Sequence, residues 1–198
     1  MLRYIFIGIT AYLLGSINSS VLISKGMYQI DIRTKGSGNA GATNVARVFG
    51  LASGLLTLVC DGLKAAAAMF LGNWAGGPVG LSIAGAACLI GHCWPVFFHF
   101  KGGKGVTVGA IVALMIDWRV FVTLLGVFVL VFLLSRIVSL CSVAAAFCLP
   151  FACLFFGLPL SECLLGAFAA VLVIVQHRSN FVRLLRGEEK KFSLKKKE

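Results

Sequence analysis

The chain has 198 residues, of which 59% are apolar and only 13% charged, with a mean hydropathy of +0.97 and a formal net charge of +11. A soluble domain carries about a quarter charged residues, so this composition excludes an ordinary soluble globular fold. The seven cysteines show no C-x-x-C spacing and mostly sit in apolar runs, which excludes a zinc site and reads them as small hydrophobes.

A membrane span needs about 20 apolar residues. On that measure the sequence predicts an all-α integral membrane protein, a bundle of seven transmembrane helices. They run over Leu2–Ser24, Ala42–Gly72, Val79–Phe98, Gly105–Ile116, Val120–Ser135, Ser139–Phe156 and Glu162–Gln176. Several are short or glycine-interrupted, as helices lining a cavity can be. Between the first two spans lies a polar loop, Lys35-Gly-Ser-Gly-Asn-Ala-Gly-Ala-Thr-Asn44, leading into a helix that opens at Ala42 or Thr43. Trp74-Ala-Gly-Gly-Pro78 reads as a tight outer turn. The third span ends in Gly91-His-Cys-Trp-Pro-Val-Phe-Phe-His-Phe100, where Pro95 ends regular helix. A second glycine loop, Lys101-Gly-Gly-Lys-Gly105, follows at once and opens the next helix. Outer turns come at Met115–Arg119 and Gly157–Ser161, and an inner turn at Ser135–Ser142. Residues 181–198 form a basic, solvated or lipid-surface tail behind a single domain of residues 1–180.

Charge orients the bundle. With the N-terminus outside, every Lys and Arg except Arg3, Arg119 and the intramembrane Lys64 falls on the inner side, so the positive-inside rule puts the C-terminus and both glycine loops in the cytoplasm. The basic excess then matches anionic headgroups better than nucleic acid.

Glycine-rich loops at helix N-termini expose backbone N–H groups, and the helix dipole favours negative charge there. Ser37, Gly38, Asn39, Gly41, Thr43 and Asn44 in the first loop, and Lys101, Gly102, Gly103, Lys104 and Gly105 in the second, are therefore anion-binding candidates. Arg47, one turn into the following helix, and Arg136 can pair with phosphate. His92 and His177 fall at inner span ends, on the same face. Neither loop is a Walker A motif, and no inner acidic cluster can hold a metal, so no cofactor is expected. Asp61 and Lys64, three residues apart, read as an ion pair inside the bundle. With only Asp31 available as an inner acid before the tail, a catalytic triad is hard to build. A reaction whose leaving group is already good fits better. A small anion transporter is the rival, but it would carry polar residues through to the outer face.

Three motifs in order, Gly36-Ser-Gly-Asn-Ala-Gly-Ala-Thr-Asn44, Gly91-His-Cys-Trp-Pro-Val-Phe-Phe98 with Phe100-Lys-Gly-Gly-Lys-Gly-Val106, and His177-Arg-Ser-Asn180 with Arg183-Leu-Leu185, resemble the PlsY family of bacterial acyl-phosphate:glycerol-3-phosphate acyltransferases. Leu13-Leu-Gly-Ser-Ile17 extends the resemblance over nearly the whole chain. It implies a seven-span inner-membrane enzyme that transfers a fatty acyl group from acyl phosphate to the 1-hydroxyl of glycerol 3-phosphate. The products are 1-acyl-glycerol 3-phosphate and inorganic phosphate, and no obligate protein partner is implied. It also implies that Ser37, Gly38, Asn39 and Thr43 cradle one phosphate, while Arg47, Lys104, Ser142, His177 and Asn180 hold phosphate and orient glycerol 3-phosphate. Ser179 stands where the family usually has an acidic residue, which removes a local salt bridge.

Overall fold

A computed structural model describes residues 1–192. Lys195, Lys196 and Lys197 of the expected tail lie outside the described residues. The described residues form α-helices and short 3-10 turns, without a strand: α1 (Leu2–Ser16), α2 (Ser19–Tyr28), α3 (Ala42–Phe49), α4 (Leu51–Cys93), α5 (Val106–Ile116), α6 (Trp118–Ser135), α7 (Val138–Phe155), α8 (Leu160–Gln176) and α9 (Arg178–Leu185).

The long α4 is two antiparallel arms. Gly77 has φ 61° and ψ −155°, a conformation that favours glycine, and Pro78 follows it. Gly72 packs against Gly80 and Ala84, Gly85 faces Met69, and Lys64 Nζ lies 3.1 Å from His92 Nδ1. A straight helix would hold residues 64 and 92 about 42 Å apart. The expected turn at Trp74–Pro78 is therefore present, but helix continues to its edge and one residue makes the reversal.

Two predicted spans are broken. The first stops at Ser16 because Ile17 and Asn18 are extended; Asn18 Oδ1 then accepts the Val21 N–H at 3.1 Å and starts α2. The second divides at Gly50, φ 96°, separating the short α3 from α4. The third ends at Cys93, ahead of Pro95, not at Phe98.

Four stretches are long and apolar enough to cross a membrane, Leu2–Tyr28, Leu51–Phe98, Trp118–Ser135 and Val138–Phe155, or five when α8 and α9, bent by 53°, count as one. Large apolar side chains face outward, including Leu133, Leu134, Phe155 and Leu160. That is the pattern of a bundle solvated by hydrocarbon, in which helix contacts rely on small residues and close packing. Gly15 of α1 and Gly91 of α4 illustrate it: a methyl group on either would strike the backbone of the other helix. The core runs from Ile7, Ala11 and Met69 through Cys88, Leu89 and Val112 to Leu149 and Leu165.

The two ends of the bundle differ. At one, Gly76 meets the Tyr4 ring, Ser82 bonds the Ser161 carbonyl, and Arg119 lies over Phe156 at 4.9 Å. These are compact turns. At the other, the breaks after α1, α2, α4, α6 and α8 bring long polar loops together.

Candidate active site

The first glycine loop is organised by one buried side chain. Asn44 Nδ2 donates to the carbonyl oxygens of Lys35 and Asn39 at 3.0 Å and of Ile32 at 3.3 Å, while its Oδ1 accepts the Ser37 N–H at 2.8 Å. The loop thus curls around the first turn of α3. Asn44, an anion-binding candidate by sequence, also has this structural task of holding the loop. Beneath it, Ile32, Val21, Ala40 and Val45 form a small separate core.

The second loop is held against the end of α4 by backbone hydrogen bonds. Gly102 N–H donates to the Cys93 carbonyl at 3.2 Å, and Gly103 N–H to the His92 carbonyl at 3.1 Å. A methyl group on Gly102 would lie 2.6 Å from Pro95 Cδ and 2.8 Å from the Cys93 oxygen, and one on Gly103 would lie 2.8 Å from the Ala40 oxygen. The two loops therefore touch, and only glycine lets them. Arg33 clips them together: it donates to the Phe98 carbonyl at 2.9 Å and is gripped by Asp31 at 2.7 Å. That grip holds the Asp31 carboxyl well below the usual carboxylate range, against the opposing effect of burial.

Between the loops, α7 and the bend from α8 to α9 lies one cavity of about 700 Å³. Ser37, Gly38, Asn39, Gly41, Thr43, Asn44, Arg47, His92, Lys101, Gly102, Gly103, Lys104, Gly105, Ser142, His177 and Asn180 all line it. The expected site residues thus converge, with one exception. Arg136 is not among the lining residues; it caps α6 with φ 58°, and its carbonyl accepts the Phe192 N–H at 2.7 Å.

At the floor, Lys104 Nζ donates to Asn180 Oδ1, Asn180 Nδ2 donates to Glu189 Oε1 at 2.6 Å, and Arg183 Nε donates to Glu189 Oε2 at 2.6 Å. Ser139 Oγ donates to Glu189 at 2.7 Å. Burial lowers the Lys104 ammonium to about 8, helped by the nearby Arg183 and Arg47 charges and opposed by Glu189. Burial pushes the Glu189 carboxyl up, but the donors Ser139, Arg183 and Asn180 outweigh it and hold it below the usual range. His177 Nδ1 lies 2.7 Å from the Val173 carbonyl. A carbonyl only accepts, so Nδ1 carries the hydrogen and Nε2 keeps its lone pair. Ser142 Oγ donates to the Val138 carbonyl at 2.8 Å, leaving its oxygen lone pairs free.

Glu189, Ser139 and Arg183 are lining residues that the sequence reading left in the tail and the inner turn. Over 181–192 the tail is in part built into the bundle: α9 runs to Leu185, Glu189 lines the cavity, and Phe192 packs edge-on against Phe132. The available signal was a carboxylate six residues beyond Arg183 at the only strongly basic end of the chain. No group of three His, Cys, Asp or Glu suited to a metal occurs among the described residues.

Residues 5–187 match the family model described as glycerol-3-phosphate acyltransferase. The chain belongs to that family. A glycerol-3-phosphate acyltransferase of Desulforudis audaxviator is 41% identical over 94% of both chains, and one of Shewanella woodyi is 41% identical over 95% of this chain and 93% of its own. Among solved structures, PlsY (YgiH), an integral membrane glycerol 3-phosphate acyltransferase, superposes in its glycerol 3-phosphate form with a TM-score of 0.91 at 36% identity over 96% of both chains. Its lysophosphatidic acid form gives 0.88 at 35%. The family membership makes this chain an integral membrane acyltransferase.

Proposed function

We propose that the chain transfers a fatty acyl group from acyl phosphate to the 1-hydroxyl of glycerol 3-phosphate, releasing inorganic phosphate. The observation that carries this reading is the convergence of two glycine loops, Lys104, Arg47, His177 and Asn180 on one cavity. Two phosphate-bearing substrates need two cradles, and the two glycine loops lining one cavity support that assignment.

In this reading the first loop, with Ser37, Gly38, Asn39 and Thr43, takes one phosphate through backbone N–H groups and hydroxyls. Lys104, Arg47 and Asn180 take the other. His177 Nε2 accepts from the glycerol hydroxyl and aligns it. That oxygen attacks the acyl carbon, the bond from acyl carbon to phosphate oxygen breaks, and the hydroxyl proton ends on the departing phosphate. The mixed anhydride supplies the leaving group, so the protein contributes alignment and charge. No cofactor, metal or obligate partner protein enters the scheme.

We further read the chain as seven spans in a bacterial inner membrane, the two arms of α4 counting separately and α5 being a short span. The cavity opens to the cytoplasm, with residues 181–198 on that side. The distribution of Lys and Arg supports this orientation. Purified protein is expected to release phosphate from palmitoyl phosphate only when glycerol 3-phosphate is present. Release that ignores glycerol 3-phosphate, or none at all, sinks the reading. A His177→Ala variant that abolishes chemistry while binding both substrates normally would instead replace the phosphate with His177 as the proton acceptor.

A further inference from the structure

A buried polar cluster lies just inside the bundle, beneath the second glycine loop. Lys64 Nζ has three hydrogens, and three acceptors surround it: Asp61 Oδ1 at 2.7 Å, the Ile17 carbonyl at 2.5 Å and His92 Nδ1 at 3.1 Å. Asp61 Oδ1 also accepts from Ser19 Oγ at 2.9 Å. Asp61, Lys64 and His92 are 1%, 9% and 3% exposed. As an isolated ion pair this is poor economy, since a buried pair stabilises a fold little over well-packed apolar residues.

Its geometry has a second consequence. An ammonium has no acceptor. The nitrogen facing Lys64 must therefore offer a lone pair, and the hydrogen of the His92 ring sits on Nε2. That nitrogen and the Ala40 carbonyl oxygen of the first loop both lie where a side chain on Gly103 would sit, and His92 lines the cavity. His177 has the opposite arrangement, with its hydrogen on Nδ1.

We infer that Asp61 and Lys64 are positioning residues that fix the His92 ring with its Nε2–H directed at the junction of the two glycine loops. His92 thereby presents a donor where the two loops meet, whereas His177 presents an acceptor across the cavity. Asp61 anchors Lys64, and the Ile17 carbonyl, exposed by the break after α1, takes the third hydrogen. The break in the first predicted span is thus part of the device. The kinetic arm of the test rests on the acyltransferase reading; the spectroscopic arm does not.

The test is ring-15N histidine NMR of the purified protein at neutral pH, with the signals of the three histidines assigned through His92→Gln. Wild type is expected to show His92 as the Nε2–H tautomer; Nδ1–H or a cationic ring overturns the inference directly. Asp61→Leu/Lys64→Met removes both charges together, so no unpaired charge stays buried and Tm is retained. In that variant the His92 tautomer should change, and kcat/KM should fall about ten- to a hundredfold, the range seen when a partner that orients a working histidine is lost. Lys64→Arg alone, which keeps a cationic donor beside Asp61, should retain the wild-type tautomer. An unchanged tautomer with unchanged activity in the double variant, or an activity loss that only tracks Tm, overturns the inference. Should the wild type transfer no acyl group, the function proposal fails while the tautomer still decides this one.

Discussion

The two glycine loops face one cavity but are built in opposite ways. Residues 35–44 are shaped by a side chain, with Asn44 serving three carbonyls and one N–H. Residues 101–105 are shaped by main chain, through carbonyls at the end of α4 and the absence of any Cβ at Gly102 and Gly103. The first is a loop wrapped on a polar hub; the second is a ribbon pressed against a helix end. The difference teaches that a glycine-rich loop can owe its rigidity to a neighbour's functional group or to sheer closeness, and that the two respond to different substitutions.

The largest effect is expected at the lysine the ribbon carries. Lys104→Met should lower kcat/KM for glycerol 3-phosphate about a thousandfold, the scale for removing one preorganised charged donor, read in a phosphate-release assay. Next comes closeness itself. Gly102→Ala places a methyl 2.8 Å from the Cys93 carbonyl oxygen, which is backbone and cannot give way. Overpacking of this kind costs about 1–3 kcal/mol, and the displaced loop should lose about a hundredfold in activity. If Gly102→Ala is tolerated, the ribbon description of the second loop is wrong.

The hub should be softer. Asn44→Ala leaves the Ser37 N–H and the Lys35 and Asn39 carbonyls without their partner, a cost of about 1–3 kcal/mol. We expect a lower Tm and a raised KM for one substrate, with kcat less affected.

Charge distinguishes the loops by pH. Lys104 titrates at about 8, lowered from 10.5 first by burial. Its ammonium predominates below that value and is lost as pH rises through it. Activity limited by Lys104 should therefore fall above pH 8, about tenfold by pH 9, while Lys104→Arg should hold its own level flat across that range. Smallest of all, Gly126→Ala on the outward-facing α6, where nothing lies within 4 Å, should leave activity unchanged within about twofold and favour the helix by up to about 1 kcal/mol.

Much of the site was legible because its chemistry is written in residue types that apolar spans do not otherwise carry. Gly, Asn, Lys and His at span ends stand out against a chain that is 59% apolar. Arg136 stood out for the same reason and yet points its role elsewhere, as the cap of α6. Glu189 did not stand out, because a carboxylate within a basic tail looks like ordinary solvated charge until Ser139, Asn180 and Arg183 are seen to close on it.

By itself the sequence determined that the protein is helical and lives in a membrane, that its polar chemistry gathers at one end of the bundle, and which motifs supply it. Hydrophobicity and residue type suffice for those, since each is local. Only the tertiary structure decided that α4 turns back on the single residue Gly77, and that Asn44 holds the loop around it. It also decided that Glu189 lines the cavity, held by Ser139, Asn180 and Arg183, and that Lys64 meets His92. Those depend on which groups a close-packed bundle brings within about 3 Å of one another, and hydrogen bonding at that range is a property of the fold, not of spacing along the chain.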